Sequence, residues 1–144
     1  MALVLDKTID ARPDKVFSVL SDLDQARDWM PEIERIDEVS PGPFGAGTNW
    51  RETRHAGKRK FVSRIRITEF TPPKVLGFVL DGKGMSGQMR FTLSPSGAGT
   101  HVHYEAVMKG HGLMSLMTGT INRMMAKLDA DLLDRLQAHV GRGR

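Results

Sequence analysis

Residues 113–140 read LMSLMTGTINRMMAKLDADLLDRLQAHV, and the spacing of their apolar side chains decides the fold. Leu113, Met117, Ile121, Met124, Leu128, Leu132, Leu136 and Val140 recur at steps of three and four residues, the period of one apolar stripe along an α-helix. At 1.5 Å per residue such a helix is about 40 Å long, enough to cross a whole sheet. Gly119 lies inside it and marks either a kink or a late start.

Upstream of this helix the chain is punctuated by turn signals. PGPFGAG at 41–47, HAG at 55–57, TPP at 71–73, DGKG at 81–84 and SGAG at 96–99 supply the Gly and Pro that tight reversals need. Between them the sequence predicts strands near 32–40, 46–55, 58–70, 74–81, 85–94 and 99–109, and their short connections favour an antiparallel meander. Alternation assigns one dry and one wet face. Leu76, Phe78 and Leu80, then Met89, Phe91 and Leu93, then Val102, Tyr104, Ala106 and Met108 fall on the dry side, while Gln88, Arg90, Thr92, His101, His103 and Glu105 fall on the wet side. At the other end of the chain, Leu3, Leu5 and Ile9 share one parity of a further strand, with Lys7 the exception. Pro13 suits the first turn of a short helix carrying Val16, Phe17 and Leu20, and a second short helix runs from Asp22 to Trp29, stopped by Pro31. The expected class is α+β: a curved antiparallel seven-stranded sheet, two short helices after strand 1, and one long C-terminal helix over the sheet.

The 144 residues suffice for one domain, expected over 1–140 with 141–144 as a flexible tail. A hydrophobic fraction of 40% with 26% charged residues excludes a disordered chain. With no cysteine, disulfides, thiolate metal sites and cysteine nucleophiles are excluded. Asp6 and Lys7 interrupt the N-terminal apolar residues before signal-peptide length, and no stretch reaches the ~20 apolar residues that span a bilayer, so a cytoplasmic location is expected. The net charge of +4 draws on Lys58, Arg59, Lys60, Arg64 and Arg66 in one stretch and on Arg142 and Arg144 at the end. A solvated sheet face accounts for these, and no nucleic-acid partner is expected because aromatic platforms and known modules are missing.

The order strand, short helices, six strands, long helix resembles the START-like (SRPBCC) superfamily, which includes the birch-pollen allergen, lipid-transfer and aromatase/cyclase proteins. It is most similar to the bacterial polyketide cyclase/dehydrase and lipid-transport family. The marks are Ile9-Asp10-Ala11 leading into Pro13, Val16 and Phe17, then Leu20-Ser21-Asp22, Trp29 with Pro31, and Gly45 with Gly47 entering a strand. Glu69-Phe70 before Pro72-Pro73, Gly99-Thr100, and Asp131-Leu132 with Leu136 complete the series. The resemblance implies a helix-grip fold with a cavity between sheet and helix. It carries over no catalytic set, because the matched positions are turns, core and caps.

Dry strand parity and the helical stripe together predict a pocket bounded by Trp50, Phe61, Ile65, Phe78, Met89, Phe91, Tyr104, Met117, Ile121 and Met124. Five methionines, Met108, Met114, Met117, Met124 and Met125, crowd into 18 residues, and flexible thioethers suit either an adaptable ligand wall or plain core filling. Glu52 and Arg54 share the parity of Trp50. An inward Glu52 carboxylate would serve acid–base chemistry, and an ion pair with Arg54 or a solvated strand end is the plainer reading. The Tyr104 hydroxyl either anchors a polar ligand head or bonds to backbone as a core tyrosine. His101 and His103 point to one side of their strand but sit on the wet parity without a third ligand, so no metal is expected. GAGTNW enters a strand rather than opening a helix, and GxSxG is absent, which excludes a dinucleotide loop and a hydrolase elbow.

The function expected is binding or carriage of a small hydrophobic ligand, a lipid, polyketide or aromatic compound, with no cofactor. The alternative is a cyclase or dehydratase using an inward acid–base residue in the same cavity, Glu52 being the candidate. The sequence leaves a homodimer open.

Overall fold

Each turn signal ends a strand. In the computed structural model, which describes residues 3–142, the elements run β1 (Leu3–Ile9), α1 (Pro13–Leu20), α2 (Ala26–Trp29), β2 (Ile33–Asp37), β3 (Asn49–Ala56), β4 (Arg59–Thr71), β5 (Val75–Gly82), β6 (Met85–Ser96) and β7 (Gly99–Gly110). A 3-10 helix (Gly112–Met117), α3 (Thr118–Asp129) and α4 (Leu132–Arg142) follow. The strands form one antiparallel sheet in the order β1-β7-β6-β5-β4-β3-β2, so β2 through β7 are a plain meander and β1 closes against the last strand. Register shifts in β2 between Ile33 and Arg35 and in β4 between Ile67 and Glu69 supply the extra residues that bend a sheet. The sheet curves around the terminal helices in a helix-grip α+β architecture.

Alternation sorts the two faces as the pattern predicts. Met89, Phe91, Leu93, Val102, Tyr104, Ala106 and Met108 are buried, and they join Val16 and Phe17 of α1, Trp29 of α2 and Leu132, Leu136 and Val140 of α4. Lys7 breaks the parity of β1 because it ion-pairs with Asp134 of α4 at 3.0 Å. On the convex face Arg51 bonds to Asp37 at 2.9 and 2.7 Å, Arg64 to Glu38 at 2.7 Å and Lys60 to Glu34 at 3.1 Å. Part of the basic stretch is thereby neutralised against β2.

The terminal segment departs from one uninterrupted stripe in two places. Residues 112–117 form a 3-10 helix, whose three residues per turn throw the 3.6-residue stripe out of phase. Leu113 is therefore 92% exposed and Leu116 89%. Gly110 makes the tight entry possible, because a Cβ there would collide with the Met114 carbonyl. The α-helix starts late, at Thr118, so Gly119 lies in its first turn rather than at a kink. A second interruption, at Ala130 and Asp131, separates α3 from α4. Gly141 and Arg142, expected in a tail, complete α4; residues 143 and 144 lie outside the described residues.

Asn122 fastens α3 to the sheet. Its amide accepts from the Met108 N–H and donates to the Met108 carbonyl, both at 2.8 Å, which reproduces the two bonds that a neighbouring strand would make.

Candidate functional site

The concave sheet and α3 do not close on one another. Between them lies a cavity of about 170 Å³, lined by side chains from α1, α2, β3 to β7, α3 and the start of α4. Nine of the ten residues predicted from parity and stripe, Trp50, Phe61, Ile65, Phe78, Met89, Phe91, Tyr104, Ile121 and Met124, line it. Met117 does not: the 3-10 geometry places it outside, 43% exposed. Met85, Met108 and Met125 join Met89 and Met124 in the wall.

Two groups of aromatic rings shape the apolar part. Phe78 stacks on Phe91 at 6.2 Å between centroids, and Phe91 packs on Tyr104 at 4.6 Å, fixing the phenol against the wall. Phe44 meets Trp50 at 6.2 Å and Phe70 at 5.7 Å, a cluster built from the loop before β3, where strand parity gives no guide.

One wall is polar. Glu52 is buried, as its shared parity with Trp50 predicts, and both its oxygens are occupied: Trp50 Nε1 donates to one at 3.2 Å and Arg54 Nε to the other at 2.6 Å. The ion-pair reading of Glu52 and Arg54 therefore describes the geometry. Arg54 also reaches Glu32 at 3.1 Å through Nη1 and the Met30 sulfur at 3.7 Å through Nη2, so each of its nitrogens is engaged. Burial alone would lower the Arg54 pKa, but Glu52, Asp129 and Glu32 outweigh it and raise it above the ordinary value. Glu32 gives its second oxygen to Arg135 of α4 at 2.7 Å. Two guanidinium groups are thus balanced by two carboxylates.

Asp129, the last residue of α3, is the unbalanced third carboxylate. Its nearest cation is Arg135 Nη2 at 3.9 Å, its side chain is 13% exposed, and burial holds its pKa above the usual carboxylate value. Tyr104 is buried too, and desolvation raises its pKa. The backbone bond expected of a core tyrosine is not made: among the described residues neither the Tyr104 nor the Ser63 hydroxyl has a hydrogen-bond partner. Trp29 Nε1, fully buried, also lacks an acceptor.

Sequence periodicity as read above does not single out Asp129, Ser63 or Glu32. Asp129 carries a signal all the same: from Ile121 the four-residue step runs through Met125 to Asp129, placing a carboxylate on an otherwise apolar line. Ser63 has the inward parity of Phe61, Ile65 and Ile67. Glu32 precedes β2 in a turn, where no periodicity applies.

His101 and His103 stand outside this site. Both contact Asp6 Oδ1 of β1, at 2.9 and 2.8 Å, a carboxylate supplied across the sheet rather than along the strand. The Asp6 hydrogen bond raises the His103 pKa despite some burial. Among the described residues no group of three or more His, Cys, Asp or Glu is arranged to hold a metal ion. No helix among them is long and apolar enough to cross a membrane.

The same architecture occurs in solved structures of low sequence similarity. The protein TTHA0849 from Thermus thermophilus is 20% identical with a TM-score of 0.82, each chain covered over 99% of its length. A START superfamily protein from Mycobacterium smegmatis is 14% identical with a TM-score of 0.80 and the same 99% coverage of both chains. Ara h 8.0201 is 14% identical with a TM-score of 0.70, with 97% of each chain covered. No curated protein sequence matches. The family model for polyketide cyclase / dehydrase and lipid transport, however, matches residues 2–141, so the sheet, the cavity and the terminal helices all fall within one match and the chain belongs to that family.

Proposed function

We propose that the protein binds or carries a small hydrophobic ligand, such as a lipid, polyketide or aromatic compound, in the cavity between the sheet and the terminal helices. The carrying observation is an unfilled space walled by Phe78, Phe91, Met89, Ile121 and Met124. Apolar cavities of about 150 Å³ already hold benzene, so this one has room for a substituted ring. Glu52 supports carriage over catalysis, because both its oxygens are committed to protein donors. Titration with N-phenyl-1-naphthylamine should give saturable fluorescence with one probe per chain, and native mass spectrometry should show any co-purified small molecule. Absence of both probe binding and a co-purified ligand overturns the proposal.

One observation favours the second reading, a cyclase or dehydratase. Asp129 faces the cavity with a raised pKa, the property a buried acid–base group needs. Under that reading Asp129→Asn abolishes turnover of a bound polyketone while leaving its affinity within about threefold.

A further inference from the structure

The polar wall carries a more specific assignment, which rests on the reading that the cavity holds a ligand. Among the described residues the Tyr104 and Ser63 hydroxyls and Trp29 Nε1, all of lining residues, make no hydrogen bond, and the Asp129 carboxyl has only the long ion pair to Arg135 Nη2 at 3.9 Å. Tyr104 and Ser63 are only 4% and 7% exposed, so neither recovers its hydrogen bonds from bulk water. A ligand group that reaches them replaces bonds the protein itself does not make.

The charge of that ligand group is constrained by what surrounds it. Arg54, the one guanidinium on the wall among the described residues, has Nε on Glu52, Nη1 on Glu32 and Nη2 on Met30. Arg135 stands behind it, outside the lining: its Nη1 is bonded to Glu32 at 2.7 Å, and its Nε and Nη2 make no hydrogen bond but lie 3.3 and 3.9 Å from Asp131 and Asp129. An entering carboxylate or phosphate would find no guanidinium with a free nitrogen in the described lining and would face Glu32, Glu52 and Asp129 across a low-dielectric space. His55, also on the wall, is turned to Glu34 at 3.1 Å.

We infer that Tyr104, Ser63 and Asp129 form a head-group site for an uncharged hydroxyl, so that the cavity selects a neutral phenol or alcohol over anions of the same skeleton. A hydroxyl both donates and accepts. It donates to the Asp129 carboxylate, or accepts from the carboxyl when that is protonated, and the two rotatable protein hydroxyls reorient to suit.

The test uses three probes of one skeleton, naphthalene, 2-naphthol and 2-naphthoate, each displacing N-phenyl-1-naphthylamine. One net hydrogen bond corresponds to about five- to tenfold in affinity, so 2-naphthol should bind about that much tighter than naphthalene and more than about tenfold tighter than 2-naphthoate. Tyr104→Phe and Asp129→Leu should each cut the ratio of 2-naphthol to naphthalene affinity to within about twofold, each variant being compared with its own naphthalene affinity. Binding of 2-naphthoate as tightly as 2-naphthol, or an undiminished ratio in both variants, overturns the head-group site. Binding of all three probes with equal affinity overturns it too but leaves the ligand cavity standing. If neither naphthalene nor N-phenyl-1-naphthylamine binds, both readings fall.

Discussion

Asp129 shows how one side chain couples the site to stability. Its pKa lies above the unfolded value of 3.8 because burial disfavours the charged form more than Arg54 and Arg135 favour it. Between those two values the folded state holds more protons than the unfolded one, so Asp129 makes the fold less stable as pH rises through that window. Its cost is complete above the folded pKa and absent below 3.8. Asp129→Asn removes the titration. In urea melts the variant should gain stability relative to the parent as pH goes from about 4 to 7, and the gain should vanish in acid. A difference that does not change with pH contradicts the burial of this carboxyl. The inward Glu52 is legible because strand parity is strict, and its partner Arg54 lies two residues away. Asp129 escapes such a reading because the predicted stripe runs through Met124 and Leu128, and Leu128 is 40% exposed. The line through Met125, which packs on the core, is the one that ends on Asp129.

Among the elements, the strands are the most legible in the sequence and the terminal helix the least regular. Glycine-containing turns fix strand ends whatever the tertiary context, and each of the six predicted strands after α2 appears near its expected place. A helical stripe only reports that a segment is helical on average. It misses a change of pitch at 112–117 and a break at 130–131, both of which depend on how the chain meets the end of β7 and the polar wall. The two α-helices that result have different jobs. Met124 of α3 borders the cavity, whereas Leu136 of α4 is fully buried and lies apart from it. Met124→Trp should fill the space and weaken N-phenyl-1-naphthylamine binding at least about tenfold with a modest change in the urea midpoint. Leu136→Ala should cost about 2–5 kcal/mol by opening a void in packed core, with probe affinity retained by the folded fraction. Equal behaviour of the two variants would mean that the Met-rich wall is ordinary core.

For the molecule as a whole, the sheet is one continuous hydrogen-bonded unit from β1 to β2, and the helices are attached to it by separate means. α4 packs Leu132, Leu133, Leu136 and Val140 into the main core and pairs with Lys7 and Glu32. α3 buries Ile121 and Asn122, and the rest of its inner side borders unfilled space. The break at Ala130 and Asp131 then has a kinetic meaning: α3 can come away without taking α4 with it. Its backbone amides should exchange with deuterium faster than those of α4, through an opening that costs less than global unfolding. Occupancy of the cavity should slow exchange in α3 and leave α4 nearly unaffected, which hydrogen–deuterium exchange with and without N-phenyl-1-naphthylamine will read directly. Uniform protection across both helices would mean that the break does not separate them. With that order of opening a ligand would need no gap in the sheet to pass in or out, since the half-helix that roofs its chamber would open at less cost than the half that anchors it.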